Sequence, residues 1–281
     1  MTAMLLPKQT TPDGVRCNTI IKRYPSGKAR LMVAERAVFR IPGYEPSIDQ
    51  SAADGGSLVN EAPSVAMAEA AIDTAERLGL CYDGGPSPEE ESRTAANLAR
   101  AQRRARSAVR DLALSNDFQY FVTLTFDQRK VDRWDDREVL RVTMNWLDNH
   151  VRRDGLAYVL VPERHKDGAI HFHGFFNGAI EGVDSGHKTQ SGQTIYNLPR
   201  WPWGFTTAIP VYGEYSAAVG YVCKYITKGA EKVGGRWYYH GGSLRRPAVE
   251  YVNTEWEEVS QKWDTATIEA LHCAIAFAET D

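Results

Sequence analysis

The sequence is short of several things, and each shortage removes a class of function. Its four cysteines, Cys17, Cys81, Cys223 and Cys273, are scattered, with no Cys-x-x-Cys among them. That speaks against a disulfide framework and a thiolate zinc site, and fits a reducing cytoplasm. No apolar run approaches the roughly 20 residues needed to span a bilayer, so no membrane partner is expected. Met1 to Pro7 is too short and too weakly cationic for a signal peptide. There is no Gly-x-x-x-x-Gly-Lys-Ser/Thr phosphate loop, so neither a nucleotide cofactor nor ATPase activity is expected. Positive charge is not in excess: 33 Lys and Arg stand against 36 Asp and Glu, a formal net charge of −3. Any surface for nucleic acid must therefore be built from local charge. No internal repeat is evident.

What remains, 43% hydrophobic and 25% charged over 281 residues, is the composition of an ordinary globular protein. Its most informative stretch is Ala169-Ile170-His171-Phe172-His173-Gly174-Phe175-Phe176, a short apolar strand entered from the turn-like Lys166-Asp167-Gly168. In a strand, positions i and i+2 share a face. His171 and His173 then stand side by side, about 6–7 Å apart at roughly 3.3 Å per residue, and Phe172 points into a core. Two such imidazoles can converge on one metal ion; two ordinary half-exposed histidines are the bland alternative. Upstream, Ala157-Tyr158-Val159-Leu160-Val161-Pro162-Glu163 is a second apolar run that folds back as the other arm of a hairpin. Glu163 lies near its turn end and can face the histidines. One carboxylate with two imidazoles suits Mg²⁺ or Mn²⁺ better than Zn²⁺. His165, in the turn, is a competing ligand expected to be solvated.

Downstream, Glu214 to Lys228 reads as a helix, with lysines in its last turns and Gly229 as its stop. Tyr221 and Tyr225 are i and i+4 and share one face. Tyr-x-x-Lys occurs twice, as Tyr221/Lys224 and Tyr225/Lys228. Tyrosines at this spacing can simply pack a helix on a sheet; doubled nucleophile-plus-cation spacing after a His-x-His strand is harder to obtain by chance.

Taken in order, the strand Phe121-Val122-Thr123-Leu124-Thr125-Phe126, then His171-Phe172-His173, then Tyr221-Val222-Cys223-Lys224-Tyr225 resemble the three motifs of the HUH endonuclease superfamily. The likeness is greatest to rolling-circle replication initiators of small single-stranded DNA phages and related plasmids, and it covers roughly Asn97 to Pro247. The resemblance implies a tyrosine nucleophile, Tyr221 or Tyr225, assisted by Lys224 and Lys228, and a Mg²⁺ or Mn²⁺ ion on His171, His173 and Glu163. It implies single-stranded origin DNA as substrate, a 5′-phosphotyrosine intermediate and a free 3′-OH. It also implies a host helicase and DNA polymerase as partners, in the cytoplasm of a bacterial host cell. A conjugative relaxase or transposase would use the same site. A non-catalytic nucleic-acid-binding module or a structural zinc protein would not.

The rest of the chain supplies the context. Val15 to Lys22 and Ala29 to Phe39 form a hairpin around Tyr24-Pro25-Ser26-Gly27. Residues 41–62 read as linker and Val65 to Leu80 as a packing helix. Ser87-Pro88-Glu89-Glu90 opens a helix that runs to about Leu114. Its arginines, among them Arg103, Arg104 and Arg110, are a solvated face or a phosphate-tracking one. Thr123 and Thr125 would share a face of the first catalytic strand, as sheet-face residues or phosphate contacts. Asp135 to Val151 is a helix, with His150 on its surface. Gly178 to Gly204 reads as a polar loop ending in aromatics; Arg200, Trp201 and Trp203 can stack unpaired bases or plug the domain edge. Thr265 to Ala278 reads as a C-terminal helix. The expected fold class is α+β: about five mostly antiparallel strands with flanking helices mainly on one face, HUH/RRM-like, plus the N-terminal hairpin and helical extension. The expected division is an extension at 1–90, an endonuclease domain at 91–250 and a helical tail at 251–281.

Overall fold

Apolar alternation in four consecutive strands builds the sheet that carries everything else. The strands are β5 (Tyr120–Phe126), β6 (Tyr158–Arg164), β7 (Ile170–Phe176) and β10 (Gly204–Pro210). In β5, Val122, Leu124 and Phe126 are buried on one face while Phe121, Thr123 and Thr125 are half-exposed on the other. Two short strands, β8 (Val183–Lys188) and β9 (Thr194–Asn197), extend one edge, and β11 (Tyr239–Gly241) closes the other. The result is a seven-stranded sheet in the order β11-β6-β7-β5-β10-β9-β8, every pairing antiparallel. The structure, a computed structural model, describes residues 16–34, 36–42, 88–211, 215–228, 231–255, 266–268 and 273–279.

Helices lie on both faces, not mainly on one. On the Val122/Phe172 face sits α2 (Asp136–Asp154), begun by the Asp135 side chain on the Arg137 amide and ended by Gly155 at φ 72°. It buries Val139, Val142, Trp146 and Leu147 against Val122, Leu124, Phe126, Phe172 and Phe176. Its His150 is buried rather than on the surface, paired with Asp154 and stacked on Trp146. The opposite face receives α3 (Tyr215–Lys228) and the second half of α1 (Pro88–Leu114). There Val219, Val222, Cys223 and Ile226 meet Val109, Leu112 and Ala113 over Val159, Val161 and Phe175. One apolar face per helix and two per sheet make a three-layer core.

The β8–β9 hairpin occupies what reads in sequence as loop. Its strands are too exposed to show apolar alternation. Backbone pairing and the Thr189–Gln193 turn, with Gly192 at φ 84°, hold them instead.

A second sheet joins strands from both ends of the chain. The expected N-terminal hairpin is β2 (Thr19–Arg23) with β3 (Lys28–Ala34), turned at Gly27 with φ 76°. Beside it run β12 (Ala248–Val252), β13 (Ala266–Ile268) and β14 (Cys273–Glu279), in the order β12-β2-β3-β14-β13. A further pair, β1 (Arg16–Cys17) with β4 (Phe39–Arg40), flanks it. The C-terminal run is thus strand, not the expected helix. Helical spacing in an alanine-rich segment is a weak preference, and the partner strand β3 overrides it.

By internal contacts the chain divides into two units: Met1–Tyr44 with Arg100–Asp281, and Glu45–Ala99. In the second unit only residues 88–99, the start of α1, are described. The expected helix at 65–80 and the Ser87 cap lie outside the described residues. No helix among the described residues is long and apolar enough to cross a membrane.

Candidate functional site

The site is set by strand register. On β7, His171 faces Glu163 of β6 and Thr125 of β5; His173 faces Val161 and Thr123. Directly opposed residues of an antiparallel pair share a face, so Glu163, His171, His173, Thr123 and Thr125 all point to the same side. The tight β6–β7 turn, with Gly168 at φ 84°, fixes this register.

Each histidine is held from behind by a threonine. Thr123 Oγ1 lies 3.1 Å from His173 Nδ1, and Thr125 Oγ1 lies 3.3 Å from His171 Nδ1. His173 Nε2 donates to Glu163 Oε2 at 3.0 Å. The two imidazoles are nearly parallel, 6.5 Å between centroids and 10° between planes. Burial, followed by the neighbouring His165, lowers the His171 pKa and keeps the ring neutral. His165 itself is exposed in the turn, 3.3 Å from Asp167.

The donor types suit a hard divalent cation: two neutral imidazoles and a carboxylate on one face, each Nδ1 already engaged by a hydroxyl. As they stand, however, no group of three or more His, Cys, Asp or Glu side chains among the described residues is arranged to hold an ion. Glu163 is drawn to His173 instead.

The tyrosines meet this face from above. The ring of Tyr225 lies on that of His173, 4.1 Å between centroids and 5° between planes. Its hydroxyl donates to the Tyr221 hydroxyl at 2.7 Å. Tyr225 is 8% exposed and Tyr221 50%. Burial first, then the hydrogen bond to Tyr221 and the charge of Glu163, raise the Tyr225 pKa well above the usual phenol range. Lys224 is exposed one turn away; the Lys228 side chain lies outside the described residues. Phe121, not foreseen as part of the site, stacks beside His173 (6.5 Å, 11°) and meets Tyr221 edge-on at 5.9 Å. Its signal in the sequence is the i, i+2, i+4 row with Thr123 and Thr125.

The expected DNA contacts divide. Arg103 and Arg104 are exposed on α1. Arg110 is half-buried and acts electrostatically on Tyr24, Arg30 and Cys223 of the interior. Arg200 is exposed and pairs with Asp154 at 3.1 Å. Trp201 cannot stack a base: it is 5% exposed, edge-on to Phe126 and Trp146, with its indole N–H donating to the Thr125 carbonyl at 3.2 Å. Trp203 packs half-buried against the same core. These aromatics plug the sheet edge.

No curated protein and no solved structure matches the chain. Residues 119–230, from just ahead of β5 to just past α3, match a family model of replication-associated proteins, the ORF2 type.

Proposed function

We propose that this protein initiates replication by nicking single-stranded origin DNA with a tyrosine, as HUH endonucleases of rolling-circle replicons do. One observation carries the reading: the phenol pair Tyr221/Tyr225 is seated on the His-x-His strand, ring on ring and hydroxyl on hydroxyl. The likeness of residues 119–230 to replication-associated proteins supports it.

In this reading Tyr221, the exposed phenol, attacks the scissile phosphorus. A Tyr221 Oη–P bond forms and the P–O3′ bond breaks. The phenolic proton is released, and the departing 3′-oxygen takes up a proton to become a free 3′-OH. Tyr225 stays protonated and donates to the Tyr221 oxygen, which stabilises negative charge there on the way to attack. The exposed Lys224 adds positive charge on the same helix. His171, His173 and Glu163 would hold Mg²⁺ or Mn²⁺, which supplies Lewis-acid polarisation of the phosphate. Thr123 and Thr125 orient the two imidazoles. The 5′ end is kept as a phosphotyrosine, and the 3′-OH serves a host polymerase behind a host helicase.

A non-catalytic nucleic-acid-binding module is the second reading, favoured by the Glu163–His173 hydrogen bond that leaves no ready-made metal cluster among the described residues. Incubation with single-stranded DNA of the replicon, with Mn²⁺ or with chelator, followed by a denaturing gel, separates the two. A metal-dependent protein–DNA adduct, lost in His171→Ala and in the double variant Tyr221→Phe/Tyr225→Phe, is expected. Its absence from active replicon extracts would promote the binding module.

A further inference from the structure

The edge of the site toward β10 carries a residue that packing does not explain. Along β10, Thr206 and Ala208 are buried while Phe205, Thr207 and Ile209 point the other way. Register places Phe205 opposite Thr125, Thr207 opposite Thr123 and Ile209 opposite Phe121. That row therefore lies on the face of the histidines and tyrosines. Phe205 is 70% exposed, the highest value of any large hydrophobic side chain among the described residues. It stands two strands from His171, about 10 Å at the usual strand spacing. The loop beside it carries Arg129 and Lys130, both exposed, and Lys130 Nζ donates to the Pro202 carbonyl at 2.9 Å. At the other end of the row a groove of about 780 Å³ opens beside Tyr221, lined by Phe121, Ile209 and the amides Gln190 and Gln193 of the β8–β9 tip.

We propose that the outward row of β10 is the bed of the substrate strand: Phe205 stacks an unpaired base at the histidine end, and the groove holds the base beside the bond that Tyr221 cuts. An exposed aromatic next to cations is the combination that binds single strands, because every base has a π-face and every nucleotide a phosphate. Side-chain amides can reach the hydrogen-bonding edge of an unpaired base. The site itself rests on the tyrosine-nicking reading; the strand path is new.

The test is fluorescence anisotropy with a labelled single-stranded oligonucleotide of the replicon, in chelator so that no cleavage intervenes. Phe205→Ala is expected to weaken binding about five- to a hundredfold, the range for one base–aromatic stack. Phe205→Trp should restore it. Both variants should keep the wild-type melting temperature, since an exposed side chain is changed. Gln190→Ala/Gln193→Ala should blunt the preference for one base next to the nick, read as the ratio of adduct yields on four oligonucleotides that differ only there. Wild-type affinity in Phe205→Ala overturns the path, even if the adduct assay succeeds. Failure of the wild-type protein to bind the strand overturns both readings.

Discussion

The ring of Tyr225 lies flat on His173 at 4.1 Å, and its hydroxyl donates to Tyr221 at 2.7 Å. The two phenols are therefore unequal. One is buried and committed as a donor; the other is exposed and receives that hydrogen bond. Tyr221→Phe should lower adduct formation by at least about a hundredfold by removing the nucleophile. Tyr225→Phe should lower the first cleavage only about ten- to a hundredfold, the worth of one hydrogen bond to a developing charge. Single-turnover rates on one oligonucleotide decide it. Equal losses would mean that the two tyrosines exchange the first role freely.

The same asymmetry has a pH signature. Burial is the largest cause of the raised Tyr225 pKa, and it persists when Tyr221 is removed. An acid with a raised pKa keeps its proton to higher pH, so less phenolate is present at any given pH than in an ordinary tyrosine, whose pKa is near 10. Residual cleavage by Tyr221→Phe, which must use Tyr225, should still be climbing at pH 10. A plateau by pH 9 in that variant would contradict the burial described.

Thr123 and Thr125 are positioning residues for the imidazoles. A hydroxyl can donate or accept, so each serves either histidine tautomer. Thr123→Val and Thr125→Val keep the shape and suit a strand. Each should raise the Mn²⁺ concentration for half-maximal adduct about ten- to a hundredfold, as outer-shell changes do, with little change in melting temperature. If melting falls and metal demand does not move, the threonines are only sheet-face residues.

Trp201 offers the opposite case. Buried and edge-on to Phe126 at 5.4 Å and Trp146 at 5.2 Å, it should behave as core. Trp201→Ala should cost roughly 3–5 kcal/mol of stability, measured by denaturant unfolding, while the folded fraction binds single-stranded DNA with unchanged affinity. A binding defect at full stability would return it to the DNA surface.

Much of the site was legible because its signals are local. Alternation put His171 and His173 on one face, a tight turn brought Glu163 opposite, and helical spacing paired Tyr221 with Tyr225. What was not legible depends on partners distant in sequence. Trp201 and Phe205 are both aromatics near one strand end, and only the packing of α2 makes one core and leaves the other exposed. His150 reads as surface until Asp154 and Trp146 enclose it. Cys273–Glu279 has helical composition and becomes a strand because β3 presents an unpaired edge 239 residues earlier at the Cys273–Ala34 pair.

That last pairing can be tested directly. β14 aligns with β3 from Cys273 opposite Ala34 to Glu279 opposite Lys28, and β13 covers β14 in turn. Removing residues 256–281 strips both strands and turns β3 into an open edge, a ready template for pairing with another chain. The His171/Tyr221 sheet contains neither strand. The truncated protein should therefore still form the adduct at low concentration, melt at a lower temperature and associate as concentration rises, seen by light scattering. Unchanged melting and a monodisperse solution would mean that β14 contributes nothing to the fold. Loss of the adduct in a soluble, folded truncation would instead tie the C-terminal strands to the chemistry, a link that the register of the catalytic sheet does not require.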